Sequence, residues 1–223
     1  AERLKEVSDF KIREVNTLGI HDWAADDVRK ISQTLASSHR RHNGSQHVAA
    51  VKKYRQVILM SDALLRRRAQ YLSAVEKHKL LRTFRESARE AGGPRHAAGL
   101  WTEGNVAEQE ALDLFSKGEF GLAAAAWERA GVLYQRTAAY SEELTEANRL
   151  EEEYRNRYSA YERANLGVEA SKLISEAAAL ADQAARLTQR GEVGDARQKW
   201  AEANRLMNSA SQASSVERNR EQF

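Results

Sequence analysis

Apolar residues recur along this chain at three- and four-residue steps, the period of one helix face. Nowhere do they alternate over a bounded run as a half-buried strand would. Leu4, Val7, Phe10, Ile12, Val15 and Leu18 predict a short helix ending near Gly19. A second helix is expected over about 22–41, with Trp23, Val28, Ile31 and Leu35 on one face and Asp22 as its N-terminal cap. Asn43-Gly44-Ser45 signals a turn. One long helix is then predicted from about 46 to 91. In it Val51, Tyr54, Ile58, Leu65, Leu72 and Val75 keep a heptad seam that Ser61 and Arg68 interrupt. Phe84, Ala88 and Ala91 continue the apolar stripe.

Gly92-Gly93-Pro94 is the strongest break in the chain, glycine ending one helix and proline opening the next. A short helix to about Thr102 is expected to stop at Gly104. Asn105 then opens another, with Glu108 completing a capping box, that ends at Lys117-Gly118. From Phe120 no clear stop occurs before Asn165-Leu166-Gly167. Tyr140, Ala147, Tyr154, Tyr161 and Val168 recur every seven residues there, with Leu144 and Tyr158 at companion positions and Glu151 and Asn165 as polar intruders. Leu173, Ala177, Leu180, Ala184 and Leu187 keep the same spacing. Past Gly191 a last helix carries Ala196, Trp200, Ala203, Met207 and Ala210, and the polar tail from Ser214 to Phe223 is expected to fray. The pattern predicts an all-α fold of about five to seven helices, two of them very long. The expected architecture is an elongated bundle of antiparallel helices, or a coiled coil, with helical hairpins.

Composition agrees with helix throughout. There is one proline in 223 residues, against ordinary usage of roughly 5%. Much of the 42% apolar share is alanine, so packing should be close and thin. The absence of cysteine removes disulfides, thiolate metal sites and cysteine nucleophiles, and suits either redox environment. No apolar run reaches the ~18 residues of a membrane span, and no signal peptide is evident. The cytoplasm is the favoured compartment, while a start at Ala1 also fits a mature exported protein or a piece of a longer chain. The net charge of +3 hides an asymmetry, because residues 1–100 hold 20 of the 35 Lys and Arg but only 11 of the 32 Asp and Glu. The expected division is therefore a basic helical segment, 1–91, and an acidic helical-hairpin segment, 92–223.

Self-comparison gives one specific signal. Gly118, Ala123, Trp127 and Ala130 share their spacing with Gly191, Ala196, Trp200 and Ala203, and Gly92, Ala97 and Trp101 form a weaker third copy with Gly104 in the last place. Glycine supplies the left-handed turn, Phe120 or Val193 plugs the corner, and the first alanine lets the helices approach. Tryptophan then covers the seam and the second alanine clears room for it. Leu112 and Ala185 hold equivalent places on the preceding helices. This spacing resembles the second half of a tetratricopeptide repeat and, more loosely, the three-helix microtubule-interacting-and-transport domain. The likeness spans about 20 residues per copy. The glycines lie 26 and 73 residues apart, rather than at the repeat's period of about 34. The resemblance implies stacked helical hairpins.

No phosphate loop, dinucleotide fingerprint, zinc-protease motif or nucleophile elbow is present. His39, His42 and His47 form the one histidine cluster. With no carboxylate or thiol beside them in sequence, they read as solvated groups near Arg40 and Arg41. Glu151-Glu152-Glu153 reads as a solvated face, and Asn43-Gly44-Ser45 matches a glycosylation sequon that a plain turn explains. The four tryptophans are expected in the core. No catalytic, cofactor-binding or metal-binding residue is expected, nor any cofactor or small-molecule substrate. The expected function is a non-catalytic scaffold or adaptor that binds protein partners or self-associates. The basic tract over residues 40–95 offers a second route, to a membrane surface or to nucleic acid. It includes Arg40-Arg41, Lys52-Lys53-Arg55, Arg66-Arg67-Arg68, Lys77, Lys79, Arg82, Arg85 and Arg89. The blander expectation is that this tract docks on the acidic segment of its own or a sister chain.

Overall fold

The computed structural model describes residues 1–161 and 166–221, which form helices joined by short turns, with no strand among them. In chain order these are α1 (Glu2–Thr17), α2 (His21–Asn43), α3 (His47–Glu90), α4 (Gly93–His96), α5 (Ala98–Ser116), α6 (Phe120–Tyr161), α7 (Val168–Gln189) and α8 (Val193–Glu221). The protein is all-α, as its apolar period predicts. Packing divides it into two compact units. Unit 1 comprises Ala1–Lys79 and Gln109–Glu128; unit 2 comprises Leu80–Glu108 and Arg129–Phe223. This partition follows packing, whereas the division at residues 91 and 92 follows charge.

In unit 1, α1, α2 and α3 enclose Ile12, Val15, Ile20, Ala24, Val28, Ile31, Val57 and Leu64. Gly19 takes a left-handed φ of 64°, which releases the chain from α1. The N-terminal cap of α2 falls on Ile20 rather than Asp22, which lies in the first turn. The start of α2 is also kinked, since Ala24 has φ −141° and ψ 38°. At the next corner the left-handed residue is Ser45, at φ 60°, and not Gly44. The buried face of α3 runs through Ala50, Tyr54, Val57, Ser61 and Leu64 and then, one residue out of heptad phase, through Ala74, Leu81 and Ala88. Leu72 and Val75, expected in the seam, are exposed. Arg68 sits in that seam half-buried because its Nε donates to the Leu18 carbonyl at 3.1 Å, satisfying the end of α1.

In unit 2, Ala147, Leu150 and Tyr154 of α6 meet Ala177, Ala181 and Ala184 of α7, with Trp200, Ala203 and Met207 of α8 closing the core. Seven of those nine side chains are alanine, methionine or tryptophan on facing helices, so small residues admit the close approach and large ones fill the gap. Val168, expected to extend the α6 seam, instead starts α7 and is 88% exposed. Asn165 lies outside the described residues. The last helix continues to Glu221, through most of the tail expected to fray.

The largest departure from expectation concerns Gly104. No helix ends there, and α5 runs through it without interruption. Gly104 is needed for a different reason: a Cβ at that position would lie 2.8 Å from the Tyr134 ring. Asn105 and Glu108, expected as a capping box, are interior to α5, and both face the Tyr134 hydroxyl at 2.8 Å. The chain breaks earlier, where Gly92 takes φ 82° and Ala97 takes φ −134°, cutting out the single turn of α4 with Pro94 in its first positions.

Candidate functional site

The repeated hairpin is built alike in its two good copies. Gly118 has φ 74° and Gly191 has φ 77°. The Glu119 amide donates to Leu114 at 3.0 Å and the Gly118 amide to Phe115 at 2.9 Å, with the Glu192 to Leu187 and Gly191 to Thr188 bonds matching them at 3.0 Å. These bonds satisfy the free carbonyls that end α5 and α7. Phe120 and Val193 plug the corners, and Ala123, Trp127, Ala130, Ala196, Trp200 and Ala203 are all buried. On the preceding helices Ala111 and Ala184 are buried, while Leu112 is exposed. The third copy keeps its glycine turn and the buried Ala97, with Trp101 half-buried against Tyr134.

Around the first corner, unit 1 assembles an aromatic cluster. Trp23 stacks on Tyr71 with centroids 5.2 Å apart, and Phe120 meets both rings edge-on. Phe115 joins Phe120 to Trp127, which also stacks on His78 at 4.6 Å. The Arg67 guanidinium lies over Trp23 and Phe120 and donates to Asp27 at 3.0 Å. Trp127 and Trp200 are core residues as expected; Trp23 and Trp101 are half-buried.

The basic tract sorts into two sets. Arg67 pairs with Asp27, Lys77 with Glu128, Arg85 with Glu108 and Arg89 with Glu86. Two of these, Lys77 and Arg85, reach carboxylates of the acidic 92–223 segment within their own packing unit. Arg85 also lies over Trp101, and Glu108 in turn accepts from Tyr134. Burial and that carboxylate hydrogen bond together push the Tyr134 hydroxyl far above the usual tyrosine range. Lys52, Arg55 and Arg66, like Lys79 and Arg82, are exposed on α3 with no ion pair or hydrogen bond among the described residues.

The histidine cluster does meet carboxylates, contrary to its appearance in sequence. His39 Nε2 lies 3.1 Å from Asp9 and His42 Nε2 3.3 Å from Glu2, both carboxylates arriving from α1. The His39 contact is close but poorly aligned, since Nε2 finds no hydrogen-bond acceptor. His42 and His47 rings meet edge-on at 5.2 Å, and both His39 and His42 lie beside Tyr54. Glu2 is drawn below the usual carboxylate range, chiefly by its hydrogen bond to Lys5. This arrangement ties the start of α1 to the α2–α3 corner. Among the described residues no group of three histidines and carboxylates has the geometry to hold a metal ion.

Both units carry surface concavities. In unit 2 a groove of about 380 Å³ between α5 and α6 is lined by Thr102, Glu103, Val106, Ala107, Arg129 and Leu133. Val106, which lines it, is 63% exposed. A more polar hollow of about 430 Å³ between α6 and α8 carries Glu146, Arg197, Glu202 and Arg205 around Leu150 and Ala201. In unit 1 a smaller one, about 270 Å³, lies between α2 and α3 and is crossed by Asp27 and Arg67. No helix of the described residues is long and apolar enough to cross a membrane. No protein-family model, curated protein or solved structure matches the chain.

The α5–α6 groove and the Tyr134 network were not legible in sequence. Gly104-Asn105 has the chemistry of a turn, and only the approach of Tyr134 from 29 residues further on gives these residues their actual role.

Proposed function

We propose that this protein is a non-catalytic helical scaffold that works by docking other polypeptides, with the α5–α6 groove of unit 2 as its principal contact surface. The observation that carries this reading is the groove's apolar floor. Val106 lies open to solvent beside Ala107 and Leu133, with Thr102, Glu103 and Arg129 completing the lining. An amphipathic helix laid between α5 and α6 would bury these side chains at roughly 25 cal/mol per Å² of apolar surface. Two interior polar side chains tie helices together. Tyr134 joins Asn105 and Glu108, and Asn204 donates to the Leu150 and Trp200 carbonyls at 2.8 and 3.1 Å. The tetratricopeptide-like corners support the same reading, since such hairpins present helix faces to protein partners.

The test is retention on an immobilised chain. Wild-type protein and the Val106→Asp variant are each exposed to native cell extract and, separately, to free copies of the chain. The proposal expects a partner, either a second copy or a distinct protein, that the wild type retains and the variant loses. Equal retention by both contradicts it.

A further inference from the structure

We propose that the outer face of α3 in unit 1 is a docking surface for a bilayer leaflet rich in anionic lipid. This inference is independent of the α5–α6 groove. From Val28 to Ser61 the chain contains seven Lys and Arg and no Asp or Glu. The flanking carboxylates are both engaged, Asp27 by Arg67 and Asp62 by Lys11. Those that α1 brings nearby, Glu2 and Asp9, face His42 and His39, and Glu2 is also held by Lys5. The positive charge of the α2–α3 corner and of α3 beyond it is therefore not cancelled locally.

The second observation is what lies between the cations. Helical geometry puts Val48, Lys52, Arg55, Leu59 and Arg66 within an arc of about 60°, over roughly 27 Å of axis. This arc is opposite the buried register of Tyr54, Val57, Ser61 and Leu64. Val48 is 76% and Leu59 68% exposed, among the most exposed large apolar side chains in the protein. Lys52, Arg55 and Arg66 make no ion pair or hydrogen bond among the described residues.

Aliphatic side chains on the crest of a cationic ridge decide the occupant. Nucleic acid offers phosphates to the cations but nothing to Val48 or Leu59, and the arc carries no aromatic ring on which a base would stack. An anionic leaflet offers both partners at the right depths. Head groups meet the ammonium and guanidinium ends, and hydrocarbon begins just beneath, within reach of leucine and valine. Helix α3 needs no refolding to bind in this way, because its buried face is already committed to α1 and α2.

The experiment is co-sedimentation of the full chain with vesicles of phosphatidylcholine alone and with phosphatidylserine as a third of the lipid. Binding is expected only to the anionic vesicles and should weaken as salt screens it. Each cation replaced by glutamine, at Lys52, Arg55 or Arg66, should weaken binding roughly fivefold. Leu59→Ser should weaken it roughly tenfold or more, through lost apolar contact. All four positions are exposed, and circular dichroism of each variant verifies that the helices remain. No binding to anionic vesicles at low salt would overturn the proposal, as would equal binding to neutral ones. It would also be overturned if Leu59→Ser left vesicle binding unchanged, or if a duplex DNA probe bound the cations more tightly than the vesicles did.

Discussion

Replacing Gly104 by alanine distinguishes a helix stop from a point of close helix approach. Within a continuous helix, alanine in place of glycine gains about 1 kcal/mol in propensity. At Gly104 the new methyl would lie 2.8 Å from Tyr134 Cε1, 3.1 Å from Cδ1 and 3.2 Å from Cζ. The ring has little room to retreat. Tyr134 is fully buried, and its hydroxyl is 2.8 Å from both Asn105 Oδ1 and Glu108 Oε2. Forcing a methyl into a packed core costs about 1–3 kcal/mol, so the net effect is a loss of up to about 2 kcal/mol. Gly99, in the same helix with nothing within 4 Å of its would-be Cβ, is the control. Gly99→Ala should be neutral or stabilising by up to about 1 kcal/mol. Urea unfolding of both variants, followed by circular dichroism, measures the difference. If Gly104→Ala proves as stable as Gly99→Ala, the close approach of α5 and α6 is wrong.

Trp127→Ala and Trp200→Ala should each cost about 3–5 kcal/mol, the range for aromatic truncation in a core, as urea midpoints would show. Water-exposed fluorescence at both indoles would contradict their burial. Tyr134→Phe should cost about 1–3 kcal/mol by removing the hydroxyl that Glu108 and Asn105 share, and Glu108→Gln should cost less, because a neutral acceptor remains. Stability should also fall at high pH. Burial holds the Tyr134 hydroxyl far above its ordinary value and pushes Tyr154 up to about 12. Above about pH 10 the unfolded chain therefore releases protons that the folded chain retains, and unfolding becomes easier. The combined Tyr134→Phe and Tyr154→Phe variant should flatten this decline in denaturation measured across alkaline pH. An unchanged slope would show that other groups govern it.

The sequence carried the fold class because helix period, near absence of proline and glycine-ended segments all act locally. The hairpin corners were legible for the same reason, since a glycine turn, a corner plug and a tryptophan one helical turn on are set by nearby residues. What escaped was long-range. The exact seam of α3 was misplaced at Leu72 and Val75 because Ala74, with little hydrophobic signal, takes the buried place. Gly104, Asn105 and Glu108 look like punctuation until Tyr134 is packed on them. The carboxylates of the histidine cluster come from α1, so neighbours in sequence gave no hint of Asp9 or Glu2. The basic tract looked scattered because paired and unpaired cations share one helix. Only the packing of α3 separates Arg67, Lys77 and Arg85 from Lys52, Arg55 and Arg66. The α5–α6 groove is formed by residues on two helices, Val106 and Leu133 among them, that carry no signal one at a time.

Site-specific photocrosslinking in the native cell tests the docking role most directly. A photoreactive phenylalanine analogue placed at Val106 puts the reactive group on the groove floor, and the same analogue at Gln135, exposed on α6, serves as the reference. The scaffold reading predicts a discrete adduct from position 106, to a second copy or to another protein, that Thr102→Arg in the groove lining suppresses and position 135 does not give. No adduct at 106, or the same adducts from both positions, would contradict it.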